Sequence, residues 1–137
     1  MRGSNPPFFM SDLSFKKREK LRSKKSISAL FESGRNVKAF PLRILYSGID
    51  SGSYPALVAI SVPKRLFKKA VDRNLLKRRI REAYRHNKPG FYMRLSGLNK
   101  QVNMVIQYHH SKIVDYRTME EALIKGLNTL LHDLEKK

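Results

Sequence analysis

Apolar residues recur at two different periods along this chain, and the changes between them mark out its elements. From Ser23 to Ser33 the spacing is helical. Ile27, Leu30 and Phe31 share one face, Ser23 stands where a cap is needed, and Gly34 stands where the helix must stop. Phe40 to Ser47 alternates instead, with Phe40, Leu42, Ile44 and Tyr46 on one face and Pro41, Arg43 and Leu45 on the other. That pattern predicts a strand, which Pro41 confines to an edge, a bend or a strand's beginning. Gly48 to Pro55 is turn material, and the apolar run from Ala56 to Val62 predicts a strand buried on both faces.

The period turns helical again from Val71 to His86. At about 100° per residue, Leu76, Ile80, Ala83 and Tyr84 fall in one arc, while Asn74, Lys77, Arg78, Arg81 and Arg85 fall in the adjoining one. One side can pack on a sheet while the other presents a polar, mostly cationic stripe. Lys88-Pro89-Gly90 predicts the end of this helix, and Phe91 to Lys100 a loop. Gln101 to His109 alternates as a strand, with Val102, Met104, Ile106 and Tyr108 on one face. Thr118 and Glu121 are spaced as a capping box before a stripe of Leu123, Leu127, Leu130 and Leu134, which predicts a last helix. The order of helix, strands, helix, strand, helix indicates an α+β or α/β class with helices covering a small sheet.

A length of 137 residues fits one domain, taken as residues 13–137. Residues 1–12 are set apart as a flexible N-terminal segment. Met10 is a candidate natural start, and the stretch before it is too slight for a secretory signal. An acidic membrane surface is the other candidate partner for so basic a chain, but no apolar run approaches the roughly 20 residues that span a bilayer, so nothing is read as transmembrane and no membrane partner is expected. The chain contains no cysteine, which excludes disulfides and thiolate chemistry and accords with a cytoplasmic setting.

Charge narrows the field further. There are 29 Lys and Arg against 11 Asp and Glu, a formal net charge of +18. Seven of the ten residues from Lys16 to Lys25 are basic, and eleven more lie between Lys64 and Lys88. A charge run by itself is commonly a solvated face. Two such blocks in one small domain point to a polyanion, with RNA the leading candidate. No Gly-rich phosphate loop is present, and no pair of carboxylates reads as a general acid and base. Neighbouring His109 and His110 point to opposite faces of a strand and so do not share a metal. The residues favour binding over autonomous catalysis.

The stretch from Ala70 to Glu82 (AVDRNLLKRRIRE) resembles the signature helix of the bacterial ribonuclease P protein component. That family carries Ala-Val-x-Arg-Asn-Arg-x-Lys-Arg-x-x-Arg at this place, after a strand ending in Ser-Val-x-Lys, here Ser61-Val62-Pro63-Lys64. The likeness runs from about Phe15 to Leu134 and takes in Phe31-Glu32-Ser33-Gly34 at the end of the first helix. Leu75 stands where the family has its second Arg, and Arg65 to Lys69 replaces a shorter Gly-containing link. The family's fourth strand is placed at Asn36 to Phe40, before Pro41.

The resemblance implies an α-β-β-β-α-β-α sandwich, a four-stranded sheet with a left-handed βαβ crossover, similar to a domain of some ribosomal proteins. It also implies the role of a ribonuclease P subunit with no active site of its own and no obligate protein partner. Together with ribonuclease P RNA, which holds the catalytic Mg²⁺, such a subunit removes the 5′ leader of precursor tRNA. Carried over by position, Lys64, Arg73, Asn74, Lys77, Arg78, Arg81 and Arg85 would contact the catalytic RNA. Ile27, Phe31 and Tyr46 would line a cleft for the leader. A structural RNA-binding protein of the ribosome would share the size and charge. A DNA-binding regulator is disfavoured because strands separate the first helix from the basic one, and a self-sufficient nuclease because the carboxylates are missing.

Overall fold

The first helix, α1 (Lys24–Ser33), is capped by the Ser23 hydroxyl, which accepts from the Ser26 amide at 3.2 Å. It ends at Gly34, where an added Cβ would lie 2.6 Å from the Leu30 carbonyl oxygen. The chain can therefore turn straight into the sheet. In this computed structural model, which describes residues 19–49 and 54–136, six further elements follow. They are β1 (Arg35–Ala39), β2 (Leu42–Ile49), β3 (Ala56–Ser61), α2 (Ala70–Leu98), β4 (Gln101–Tyr108) and α3 (Tyr116–Glu135). The expected α-β-β-β-α-β-α order is present, with the fourth strand one residue earlier than Asn36 to Phe40. Phe40 and Pro41 form the turn between β1 and β2, so β2 starts at Leu42 rather than Phe40. The N-terminal segment 1–12 and the middle of the Gly48-to-Pro55 turn lie outside the described residues.

The sheet is mixed, in the order β1-β2-β4-β3. β2 pairs antiparallel with both β1 and β4, while β3 and β4 run parallel, joined by α2. On one face Val37, Ile44, Tyr46, Val58, Met104 and Ile106 pack against Leu76, Ile80 and Tyr84 of α2 and Leu123, Leu127 and Leu130 of α3. Gly126 lets α3 sit close, since a Cβ there would meet Ile44 Cδ1 at 2.7 Å. A smaller cluster of Leu21, Leu30, Leu45 and Val105, with Ile27, Leu57 and Ala59, holds α1 on the other face. Because α1 covers only part of that face, β3 is not buried on both sides as its apolar run suggested. Ala56 and Val58 are buried, whereas Leu57, Ala59 and Ile60 are half-buried.

Two helix boundaries differ from the sequence expectation. α2 does not stop at Lys88-Pro89-Gly90 but continues through Pro89 to Leu98, so Phe91 to Lys100 is mostly helix. An interior proline costs about 3 kcal/mol. Burial of Phe91, Tyr92 and Leu95 returns about 1.5–3 kcal/mol each, which outweighs it. The helix stops at Asn99, in the left-handed region at φ 57°, where the Lys100 amide donates to the Leu95 carbonyl at 3.0 Å. α3 starts a turn earlier than the Thr118–Glu121 box implied. Asp115 is its cap, with its carboxylate accepting from the Thr118 amide at 2.9 Å. Hydrogen bonding from the Thr118 side chain, and then from its amide, holds the Asp115 carboxyl below the usual carboxylate range. Tyr116 and Val114 pack against the core and draw this extra turn into the helix.

Pro89 removes the amide that the Arg85 carbonyl would otherwise accept from. Pro89→Ala is expected to stabilise the fold by about 1–3 kcal/mol. Urea unfolding should show a higher midpoint at unchanged slope; an unchanged or lower midpoint would mean that the helix is kinked to suit the proline.

Candidate nucleic-acid interface

Burying one arc of α2 on the sheet determines which of its cations meet solvent. Asn74, Arg78 and Arg81 are exposed, Lys77 is half-exposed beside β3, and Lys64 is exposed in the link before the helix. Two of the expected contact residues also have work within the fold. Arg73 Nη1 donates to the carbonyls of Phe67 and Lys68 at 2.8 and 2.9 Å, tying the link to the first turn of α2. Arg85 pairs with Glu82, whose carboxyl is held below the usual range first by that hydrogen bond and then by charge. Arg79 lies off the stripe and donates to the Val114 carbonyl, anchoring the segment before α3.

Lys88 leaves the surface altogether. It is 2 % exposed and pairs with the equally buried Glu19, Nζ to Oε1 2.8 Å. The Tyr92 hydroxyl donates to the same carboxylate oxygen at 2.7 Å. Removing one member of such a pair typically costs about 3–5 kcal/mol, because the other charge is left buried alone. The basic block from Lys64 to Lys88 thus contributes ten cations to the surface side rather than eleven.

The three residues assigned to a leader cleft do not come together. Ile27 packs at the margin of the α1 cluster, and Phe31 stands 44 % exposed on the flank of α1. Tyr46 is on the opposite face of the sheet, 1 % exposed, its hydroxyl donating to Asp133 Oδ2 of α3 at 3.2 Å. Burial, and then the charge of Asp133, raises that hydroxyl above the ordinary tyrosine range. Strand alternation is the reason: Leu45 takes the position toward α1, so Tyr46 must point to α2 and α3.

What shares the α1 side is a polar row that the sequence reading passed over. Arg43 and Gln107 are cross-strand partners, and Arg43 Nη2 donates to Gln107 Oε1 at 2.9 Å. The Arg43 Nε is buried without a protein acceptor. Lys38 and Ser61 are the partners of these two residues on the outer strands. The signal was available, since Arg43 alternates with Tyr46 along β2; which face α1 would cover was not.

Among the described residues no three His, Asp or Glu side chains are grouped so as to hold a metal ion. Several carboxylates are already engaged: Glu19, Glu82 and Asp115 as above, Glu120 with Asn87 and Tyr116, and Asp133 with Tyr46. No helix among these residues is long and apolar enough to cross a membrane. The arrangement can attract and hold an anion.

A mixed four-stranded sheet with one helix on one face, two on the other and a cationic crossover helix defines a small α+β protein that presents concentrated positive charge. Comparison with known proteins gives that class a family. The family model described as Ribonuclease P matches residues 15–131. The ribonuclease P protein component of Porphyromonas gingivalis is 32 % identical over 112 residues, covering 81 % of this chain and 82 % of that one. The component of Chlorobium phaeobacteroides is 36 % identical over 132 residues, 88 % of each. Among solved structures, the RNase P protein of Thermotoga maritima superposes with a TM-score of 0.63 at 25 % identity, over 82 % of this chain and 97 % of that one. That of Staphylococcus aureus gives 0.68 at 18 % identity over 83 % and 96 %, a likeness of fold. The chain belongs to the ribonuclease P protein family, whose members are subunits of a tRNA-processing endoribonuclease and partners of ribonuclease P RNA.

Tyr46 is a core residue in this geometry. Tyr46→Ala is expected to cost about 3–5 kcal/mol in denaturant unfolding, and Tyr46→Phe only about 1 kcal/mol for the lost hydrogen bond. Folded Tyr46→Phe should bind RNA as the parent does. A selective loss of affinity in that variant would return Tyr46 to the binding surface.

Proposed function

We propose that this chain binds the catalytic RNA of ribonuclease P through the exposed side of α2 and holds the 5′ leader of precursor tRNA on the open sheet face beside α1. The observation that carries this reading is the division of α2 into a buried apolar side and an exposed side bearing Asn74, Lys77, Arg78 and Arg81. Arg offers planar paired donors to phosphate and Lys a point charge, and both displace counterions from the polyanion. With six to ten such contacts, affinity should fall by roughly 10³–10⁵ between 50 and 200 mM salt.

The leader seat is built from Ile27 and Phe31 on α1 together with Arg43 and Gln107 on the sheet, in place of Tyr46. Phe31 supplies a flat face for a base. Arg43, half-buried on that face, offers guanidinium donors to phosphate or a base edge. Single-stranded RNA needs both kinds of group.

Mg²⁺ is a hard cation that prefers carboxylate and phosphate oxygens, and no group of three carboxylate or imidazole side chains among the described residues is placed to hold it. In this reading the ion that supports hydrolysis belongs to the RNA. The protein's part is to bring two polyanions together. A net charge of +18 at their junction lowers the repulsion between catalytic RNA and substrate and lets divalent ions gather there. A cytoplasmic setting is part of the same proposal.

The deciding experiment is reconstitution at low Mg²⁺ of bacterial ribonuclease P RNA with 5′-labelled precursor tRNA, with and without this protein. Accurate leader removal that depends on both RNA and protein is expected. Tight RNA binding with unchanged cleavage would favour a general or ribosomal RNA-binding role. Within the same assay, Arg43→Gln and Phe31→Ala should each weaken precursor binding severalfold and leave mature tRNA binding unchanged; equal losses for both ligands would remove the leader from this face.

A further inference from the structure

The free edge of β3 is built up by the segment that precedes α1. The Leu21 amide donates to the Val58 carbonyl at 2.9 Å, and Lys20 forms a parallel bridge with Val58. Leu21 is buried in the α1 cluster, and Glu19, one residue before the bridge, is held by Lys88 and Tyr92 of α2. The segment is therefore pinned at both Glu19 and Leu21, which fixes where the Lys20 and Arg22 side chains leave the backbone.

The result is a cavity of about 280 Å³ between this segment, β3 and α2, with Leu21, Val58, Ala59 and Ile60 as its floor. Lys20 and Arg22 line it from one side and Lys77 and Arg81 from the other, and among the described residues no carboxylate lines it. By strand alternation Ile60 turns its backbone amide toward the same open edge as the Val58 carbonyl. Four cations around one small opening create a positive potential that favours an anion there.

We propose that this cavity is a phosphate seat, in which a backbone phosphodiester of RNA is gripped between Lys20 and Arg22 on one side and Lys77 and Arg81 on the other. Glu19 is its positioning residue, acting through Lys88 and Tyr92 to hold the Lys20 side in place. The proposal rests on the RNA-binding reading above and adds to it two cations outside the α2 stripe and a definite partner group. Catalytic RNA and precursor tRNA both carry phosphodiesters, so the source of the phosphate is left to the test.

The test is a double-mutant cycle on dissociation constants, measured at one salt concentration with ribonuclease P RNA and, separately, with precursor tRNA. The two arms of the cycle are Lys20→Gln with Arg22→Gln, and Lys77→Gln with Arg81→Gln. If all four grip one phosphate, the quadruple variant loses less affinity than the product of the two pairs, by about threefold or more. Lys24→Gln with Lys25→Gln removes the same charge from the exposed start of α1 and should combine multiplicatively with the α2 pair. Coupling with one RNA and not the other identifies the source; multiplicative losses with both RNAs overturn the seat. If coupling is found but the protein promotes no cleavage, the ribonuclease P role fails and the seat stands; promoted cleavage with multiplicative losses has the reverse meaning. Glu19→Gln tests the anchor by its sign. It makes the protein more positive, so bulk charge alone predicts tighter binding, whereas loss of positioning predicts severalfold weaker binding in molecules that circular dichroism shows to be folded. Tighter binding would overturn the positioning role.

Discussion

The parallel pairing of β3 with β4 is the constraint from which the rest of this molecule follows. Two parallel neighbours cannot be joined by a tight turn, so the chain must cross over, and α2 is that crossover. A helix of 29 residues is about 44 Å long, well beyond the reach of the 8-residue strand that follows it, about 27 Å. Its buried arc has to satisfy the sheet and α3 at once, and its other side has nothing to pack on. That unpacked side carries the cations.

The placing of charge is the second theme. Folding does not spread the basic residues evenly; it sorts them by use. Arg73 and Arg79 secure the segments that flank α2 and α3 by donating to backbone carbonyls, and Arg85 is drawn to Glu82. Lys88 is spent inside, against Glu19. A buried ion pair adds little net stability compared with apolar residues of the same shape, yet breaking it is expensive. Here its effect is geometric: it fixes where the chain meets the β3 edge before entering α1. The exposed remainder, Asn74, Lys77, Arg78 and Arg81, forms a face with one dominant sign.

Particular residues show where the sequence was legible. Ser23, Gly34, Leu30 and the alternation of β4 were read correctly because each depends on neighbours three or four residues away at most. Pro89 misled because a local breaker was weighed without Phe91, Tyr92 and Leu95, which continue the helical period beyond it and are buried. Thr118 misled because two adequate caps lie three residues apart, and only the packing of Tyr116 chooses Asp115. Tyr46 lies in the core, and Arg43 on the α1 side, for a different reason. The alternation on β2 separates them into opposite faces, but no local signal says which face receives two helices and which receives one.

By itself the sequence determined the order of elements, the apolar side of each helix and the concentration of positive charge, since these rest on composition and short-range period. The motif from Ala70 to Glu82 likewise carried the family. Only the tertiary structure decided which face of the sheet lies beneath α1, that Lys88 is an interior residue, and that Lys20 and Arg22 stand across from Lys77 and Arg81. Those facts depend on contacts between elements distant in the chain, from Leu30 with Leu45 to Glu19 with Lys88, and side-chain period fixes how residues divide between faces without fixing what each face will meet.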